Sequence, residues 1–450
     1  MNTTKQGWLS LLTALVMLTG CVEADDAELT GGSGGGTTSS SAGAGGQEQG
    51  AGGSGGDAGG DVGAGGDGGA GGMGAAGGAG GMGAGGAGGG DTTWATVPMA
   101  TGMIITVSTE SALEQACANA SPGDQIRIAA GTYSDTFLDF DGHGGTPGVD
   151  DPIVLIPADA MNPPVFEGAN AIRDADNVWM FAFETQQVGL SGTQRSWNIQ
   201  NADGLELYYW DLAQTEFIAL ESSNNVTHLD IDHLYGHGNA QTGGRSFLKM
   251  GVTGVAADQR YNRIRKSYLR DLRGHRETIS GKEGYLTIED LHLDNSYDVA
   301  SRLAFHMTIR RVRASRHIAL SAGGHLVVDS IAGGDILLNT GNEDAGALAA
   351  DYSDYIDNGS QTYYSAHDCE VYNSTAGGVI RAGDSTFNYQ ADNFTATATQ
   401  QGGNSPNMTT GFGATFTTVT PPPSTGTPPI YTVDDVGPAA YRTYASPPTP

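Results

Sequence analysis

Short β-rich segments recur through the middle of this chain at steps of 24, 21 and 18 residues, measured at Ile264, Ile288, Ile309 and Val327. Gly, Asn and Asp fill the gaps between them, and helical periodicity is almost absent. A repeat of roughly twenty residues with that spacing implies stacked coils rather than a closed globule. Within a segment, inward apolar residues alternate with outward polar ones, as Ile264 and Ile288 do against Arg263, Arg265 and Thr287. No coil of this kind buries its own core, so neighbours must stack and the first coil needs a cap. Ser108 to Ala120 supplies one: Ser108 or Thr109 is placed to cap a helix whose apolar stripe is Leu113, Ala116, Cys117 and Ala120. The Leu-spaced consensus of leucine-rich repeats is missing. The expected fold is therefore all-β, a single-stranded right-handed parallel β-helix over residues 92–400 with an N-terminal capping helix.

The flanks are of other kinds. Lys5 precedes an apolar run from Trp8 to Leu18, too short to span a bilayer but suited to the core of a signal peptide over residues 1–20. The tetrad Leu18-Thr19-Gly20-Cys21 then resembles the lipobox of bacterial lipoproteins, which implies lipidation at Cys21. With Val22 next, the resemblance implies the outer membrane, with the lipid anchor as the only contact with it. Residues 21–91 form a tether, since 33 of residues 31–90 are glycine and such a composition cannot repay its ordering entropy. A flexible chain of this length spans roughly 40 Å. The tail, residues 401–450, carries ten of the seventeen prolines, and its stretch from Tyr431 to Tyr444 is expected to pack back on the body. Cys117 and Cys369 lie near opposite ends of an elongated fold, too far apart to bridge, and read as small buried residues.

Charge points to the ligand. The chain has a formal net charge of −29, yet fifteen of its 21 Lys and Arg residues fall between Arg245 and Arg316, where only eight acids stand among them. The expected partner is a polyanion. No nucleic-acid-binding module is recognisable and the N-terminus directs export, so an acidic polysaccharide is expected, bound by a monomer.

Two stretches of sequence then carry resemblances, one to a fold and one to a family. The entry Ser121-Pro122-Gly123-Asp124-Gln125-Ile126-Arg127-Ile128, followed by Gly131-Thr132-Tyr133, is similar to the start of parallel β-helix domains generally. Gly244-Arg245-Ser246-Phe247-Leu248-Lys249, then Glu277-Thr278-Ile279-Ser280-Gly281-Lys282, then Arg302, then His317-Ile318-Ala319-Leu320, resemble in order and spacing the polysaccharide lyases that include chondroitinase B and many alginate lyases. The resemblance covers roughly residues 104–335.

It implies β-elimination on uronate units: a base takes the C5 proton α to the carboxylate, the carboxylate charge is neutralised, and an acid helps the C4 oxygen leave. Carried over residue by residue, Lys282 is the base and Arg302 the proton donor or leaving-group stabiliser, with Arg245, Lys249, His306 and His317 as substrate contacts. Members that hold Ca²⁺ use an Asn and two carboxylates. Glu277 matches the second carboxylate and Asn239 lies near the Asn position, but His275 stands where the first carboxylate would be, a poor ligand for a hard cation. The alternative is a metal-free site neutralised by Arg or Lys. Two other readings stand beside the lyase: a non-catalytic polysaccharide-binding β-helix or adhesin, and a polygalacturonase-type hydrolase prompted by Gly236-His237-Gly238 and Arg263-Ile264-Arg265.

Overall fold

The computed structural model describes residues 94–186, 195–213, 218–223, 225–238, 246–252, 259–272, 277–301, 304–321, 323–338, 369–382 and 420–447, with the backbone of further short strands between 355 and 417. Cys21, the tether, Asn239, Arg245, His275 and Arg302 lie outside the described residues.

The repeat read from the sequence is the coil. Ile264 is paired with Ile288, Ile288 with Ile309 and Ile309 with Val327, so the three steps are three successive register shifts of one parallel sheet. That ladder extends back through Ile231, Leu207 and Met180 and forward to Val371, every side chain 1% exposed or less. A second ladder, Trp197, Leu220, Leu248, Ile279, Val299, Ile318 and Ile336, faces it from the other sheet. Burying each such side chain contributes about 1.5–3 kcal/mol, and stacking is what buries it. Among the described residues the larger sheet has 20 strands and the smaller 11; apart from the hairpin of Tyr355–Asp357 with Thr362–Tyr364, pairing is parallel. The chain is a right-handed parallel β-helix.

The first coil is closed by α1, Glu110–Ala118, whose Leu113, Ala116 and Cys117 are buried. Thr109 is its cap: the Ala112 N–H donates to Thr109 Oγ1 at 3.3 Å. Cys117 and Cys369 are both buried, and burial pushes the Cys117 thiol well above its ordinary range.

Each coil bends at residues in the left-handed region. One row of bends falls within the larger sheet at Tyr209, His233, Lys266, Asp290, Arg311 and Asp329, with φ between 49° and 60°. A second row, between the smaller sheet and the larger, comprises His228, Tyr261, Tyr285 and His306, with φ between 52° and 61°. Few of these are residue types that tolerate that conformation at little cost, so the stacking of equivalent bends must offset roughly 1–2 kcal/mol at each.

The proline-rich C-terminal segment is ordered by the first row. It runs back along the bends as a strap: Asn373 donates to the Pro422 carbonyl at 3.1 Å, Arg311 to Thr425 Oγ1 at 2.8 Å, and the Tyr431 N–H to His292 Nδ1 at 3.2 Å. It ends in α2, Gly437–Tyr444, over the early coils. There the Gly437 N–H donates to the His233 carbonyl at 2.8 Å, the Val97 N–H donates to the Ala445 carbonyl at 3.1 Å, and Trp94 stacks between Tyr444 and His233. Tyr441 is fully buried beside Phe181 and Tyr209.

Candidate functional site

Lys282 follows the strand Glu277–Gly281 of the smaller sheet. Its N–H donates to the Met250 carbonyl at 2.7 Å, which carries the ladder one residue past the strand. The turn beyond is tight. Gly251, on the preceding coil, has φ +85°, and a Cβ there would lie 2.8 Å from Glu283 Cβ. Gly281 packs against the interior, where a Cβ would meet Met307 Sδ at 2.9 Å. Gly281 is paired with Ser301 on the neighbouring coil, so Lys282 directly follows a register pair of strands that stack about 4.8 Å apart.

The remaining sequence candidates divide between the two ends of the smaller sheet. His306 lies on the same corner as Lys282, exposed and stacked on Tyr285 with centroids 4.8 Å apart. Glu277 and His317 stand at the opposite end, where strands enter: Glu277 is paired with Asp298, His317 Nδ1 accepts from the Asp335 N–H at 2.8 Å, and the His317 N–H donates to Asp298 Oδ1 at 3.3 Å. Burial pushes the Asp298 carboxyl up, against the pull of His317 and Arg316. Lys249 is not held out toward solvent. Its ammonium lies 2.9 Å from Glu221 Oε1, and the same fully buried carboxylate is bonded by Arg195.

Glu277 is a buried carboxylate. It is 7% exposed and accepts from Ser246 Oγ at 3.1 Å. Among the described residues no group of three or more His, Cys, Asp or Glu side chains converges as metal ligands.

The cationic stretch is largely matched by acids on adjacent coils. On the outer face of the larger sheet, Arg263 binds Asp230 at 2.6 Å, Arg265 reaches Asp230 at 2.8 Å and Asp232 at 3.0 Å, Arg310 binds Glu289, and Arg311 holds Asp290 through two bonds of 2.7 Å. Register explains this. Asp230 and Asp232 are paired with Arg263 and Arg265, and Arg265 with Glu289. Summing charge along the chain missed it, because the compensating acids at 230 and 232 lie outside the window that contains the cations. The Asp-Ile-Asp at 230–232 was the available signal.

Sequence reasoning also passed over Glu283. It is fully buried, accepts from Asn262 Nδ2 at 2.9 Å and from Ser222 Oγ at 3.5 Å, and lies near Arg260, whose Nη1 donates to the Ser223 carbonyl at 3.0 Å. Burial raises its pKa to about 7 in spite of these partners. The network fastens the turn that carries Lys282 to the two preceding coils.

Comparison with protein-family models and with curated protein sequences returned no match. Among solved structures, a PL6 family polysaccharide lyase from Pseudopedobacter saltans aligns at 16% identity and a TM-score of 0.48, covering 74% of this chain and 99% of that one. A PL6 alginate lyase in complex with a trisaccharide aligns at 11% and 0.43, over 75% and 95%. Another, the PL6 family alginate lyase AlyGC, aligns at 13% and 0.41, over 74% of this chain and 56% of that one. The likeness is one of fold.

Proposed function

We propose that this protein is a polysaccharide lyase that cleaves a uronate-containing polysaccharide by β-elimination, held at the outer membrane by a lipid on Cys21. What supports the reading is the position of Lys282 at the end of a strand, directly after Gly281 of the Gly281–Ser301 register pair. In this scheme the neutral amine of Lys282 takes the C5 proton. The guanidinium of Arg302 balances the charge that builds on the sugar carboxylate and on the departing C4 oxygen; the bond to that oxygen breaks as the C4–C5 double bond forms, and the oxygen leaves as a hydroxyl with a proton from Arg302 or from water. Positioned proton transfer typically contributes 10² to 10⁴ in rate, so Lys282→Ala and Arg302→Ala should each lose about that much.

Alginate, dermatan sulfate and pectate are the substrates to try, with the ultraviolet absorbance of the unsaturated uronate as readout. Full turnover in Lys282→Ala would refute the assignment. The second reading, a β-helix that binds such polymers without cleaving them, is favoured by the engagement of Lys249 with Glu221 and of the sheet arginines with carboxylates. Binding with no chromophore on any of the three polymers would decide for it. A hydrolase of the polygalacturonase type is less well supported, since Asp230 and Asp232, the acids nearest Arg263 and Arg265, are already engaged in ion pairs with them.

A further inference from the structure

The corner row of bends brings four rings into one row. His228 and Tyr261 have centroids 5.9 Å apart, Tyr261 and Tyr285 5.2 Å, and Tyr285 and His306 4.8 Å, one ring per coil. Glycine ends the row on both sides. At Gly324 a Cβ would lie 2.2 Å from His306 Nδ1, and at Gly204 the space is taken by Pro147, whose Cγ would be 2.6 Å from such a Cβ. A groove of about 450 Å³ runs beside the rings, within the range of small-ligand sites. Its floor is one residue from each coil of the larger sheet: Glu206, Asp230, Arg263 and Thr287, in consecutive register.

We propose that this groove is a glycan-binding subsite, gripping the polysaccharide beside Lys282 with its sugars running along the axis of the β-helix. The proposal rests on the reading of the chain as a polysaccharide-active protein and names where the polymer lies. The coil rise of about 4.8 Å is close to the advance of one pyranose in an extended glycan, so each sugar meets an equivalent set of groups. His228, Tyr261 and Tyr285 line the groove, and each carries a polar ring group; the Tyr261 hydroxyl donates to Gln259 Oε1 at 2.9 Å and still has acceptor capacity, and His228 Nδ1 is bonded to Asp203, which leaves Nε2. With Glu206 and Arg263 opposite, both walls carry hydrogen-bonding groups suited to sugar hydroxyls and carboxylates. Tyr261 is 48% exposed and so reachable by a ligand in the groove.

The charges of the floor admit an anionic chain. Arg263 and Arg265 balance Asp230 and Asp232, and Glu206, which accepts from the Tyr208 hydroxyl, has its pKa raised to about 8, first by burial and then by Asp230. At neutral pH it is a neutral donor. The corner is continuous with the candidate catalytic position, since Tyr285 follows Lys282 by three residues.

The test is affinity electrophoresis of the full chain through gels containing alginate, dermatan sulfate or pectate, run alongside the ultraviolet assay. Tyr261→Phe and Tyr285→Phe keep the stack and remove only the hydroxyls; each is expected to weaken retention roughly fivefold, the equivalent of one hydrogen bond. The double variant should lose more than tenfold, with KM raised and kcat little changed. Wild-type affinity and KM in the double phenylalanine variant would overturn the subsite while leaving the lyase reading intact. Retention that depends on the two hydroxyls, with no turnover on any polymer, would sustain the subsite and remove the lyase. A wild-type protein that binds none of the three would overturn the subsite as well.

Discussion

Replacing Glu283 by Gln should flatten the dependence of stability on pH across the neutral range. The carboxyl has no exposure to solvent, and its pKa stands at about 7 against an ordinary 4.5. The native state thus holds the proton more tightly than the unfolded chain does. Below pH 4.5 both states are protonated and the group is neutral in the balance. Between 4.5 and 7 the unfolded chain gives up its proton first, so the native state loses ground as pH rises, and above 7 the loss is complete. At about 1.4 kcal/mol per unit, the whole excursion costs the native state about 3 kcal/mol. Glutamine keeps the shape and a donor–acceptor pair for Asn262 and Ser222 but cannot ionise. The assay is urea denaturation of wild type and Glu283→Gln at pH 4.5, 6 and 8, compared as the difference between the two proteins at each pH. The variant should gain on wild type by about 3 kcal/mol from the lowest pH to the highest. A constant difference across the series would refute the reasoning, by showing that Glu283 ionises in the folded protein as easily as in the unfolded one.

Other outcomes follow from the same geometry. Ile264→Ala opens a void between Ile231 and Ile288 in the central ladder and should cost about 2–5 kcal/mol, read as a lowered denaturation midpoint. Asp290→Ala leaves Arg311 buried without its two-bond partner, and thermal melting should show a loss of about 3–5 kcal/mol. Gly324→Ala forces a Cβ into the His306 ring at a φ of +74° and should displace that ring, seen as a shift of the His306 resonances. Glu277→Ala, assayed with and without chelator, separates two ways of neutralising the substrate carboxylate: a chelator-sensitive wild type and an inactive variant go with a metal at this carboxylate, while indifference to chelator goes with neutralisation by Arg or Lys.

The fold was legible because its signal is one-dimensional. Each coil repeats the same inward positions, so Ile264, Ile288, Ile309 and Val327 announce the register by their spacing alone, and Thr109 with its apolar stripe announces the cap. The candidate site was legible only where it depends on order along the chain, as with Lys282 beside the Gly281–Ser301 pair. Properties that arise between coils were not. The pairing of Lys249 with Glu221 joins residues 28 positions apart, and that of Arg263 with Asp230 joins residues 33 apart. A window of local net charge sees neither. The ring stack was hidden for a related reason: His228, Tyr261, Tyr285 and His306 are unremarkable singly, and only the coil length makes them neighbours.

The returning C-terminal strap sets a limit that most solenoids escape. Stacked-repeat proteins gain and lose units readily, since each unit touches only those beside it. Here one continuous segment is pinned to named coils far apart in the stack, at Asn373, Asp329, Arg311, His292 and His233, and finally to the residues that precede the first coil. Removing a coil would leave the strap too long by one strand spacing, and inserting one would leave it too short. The strap is a measuring tape for the stack, so lineages that keep it should vary in their loops while holding the number of coils constant.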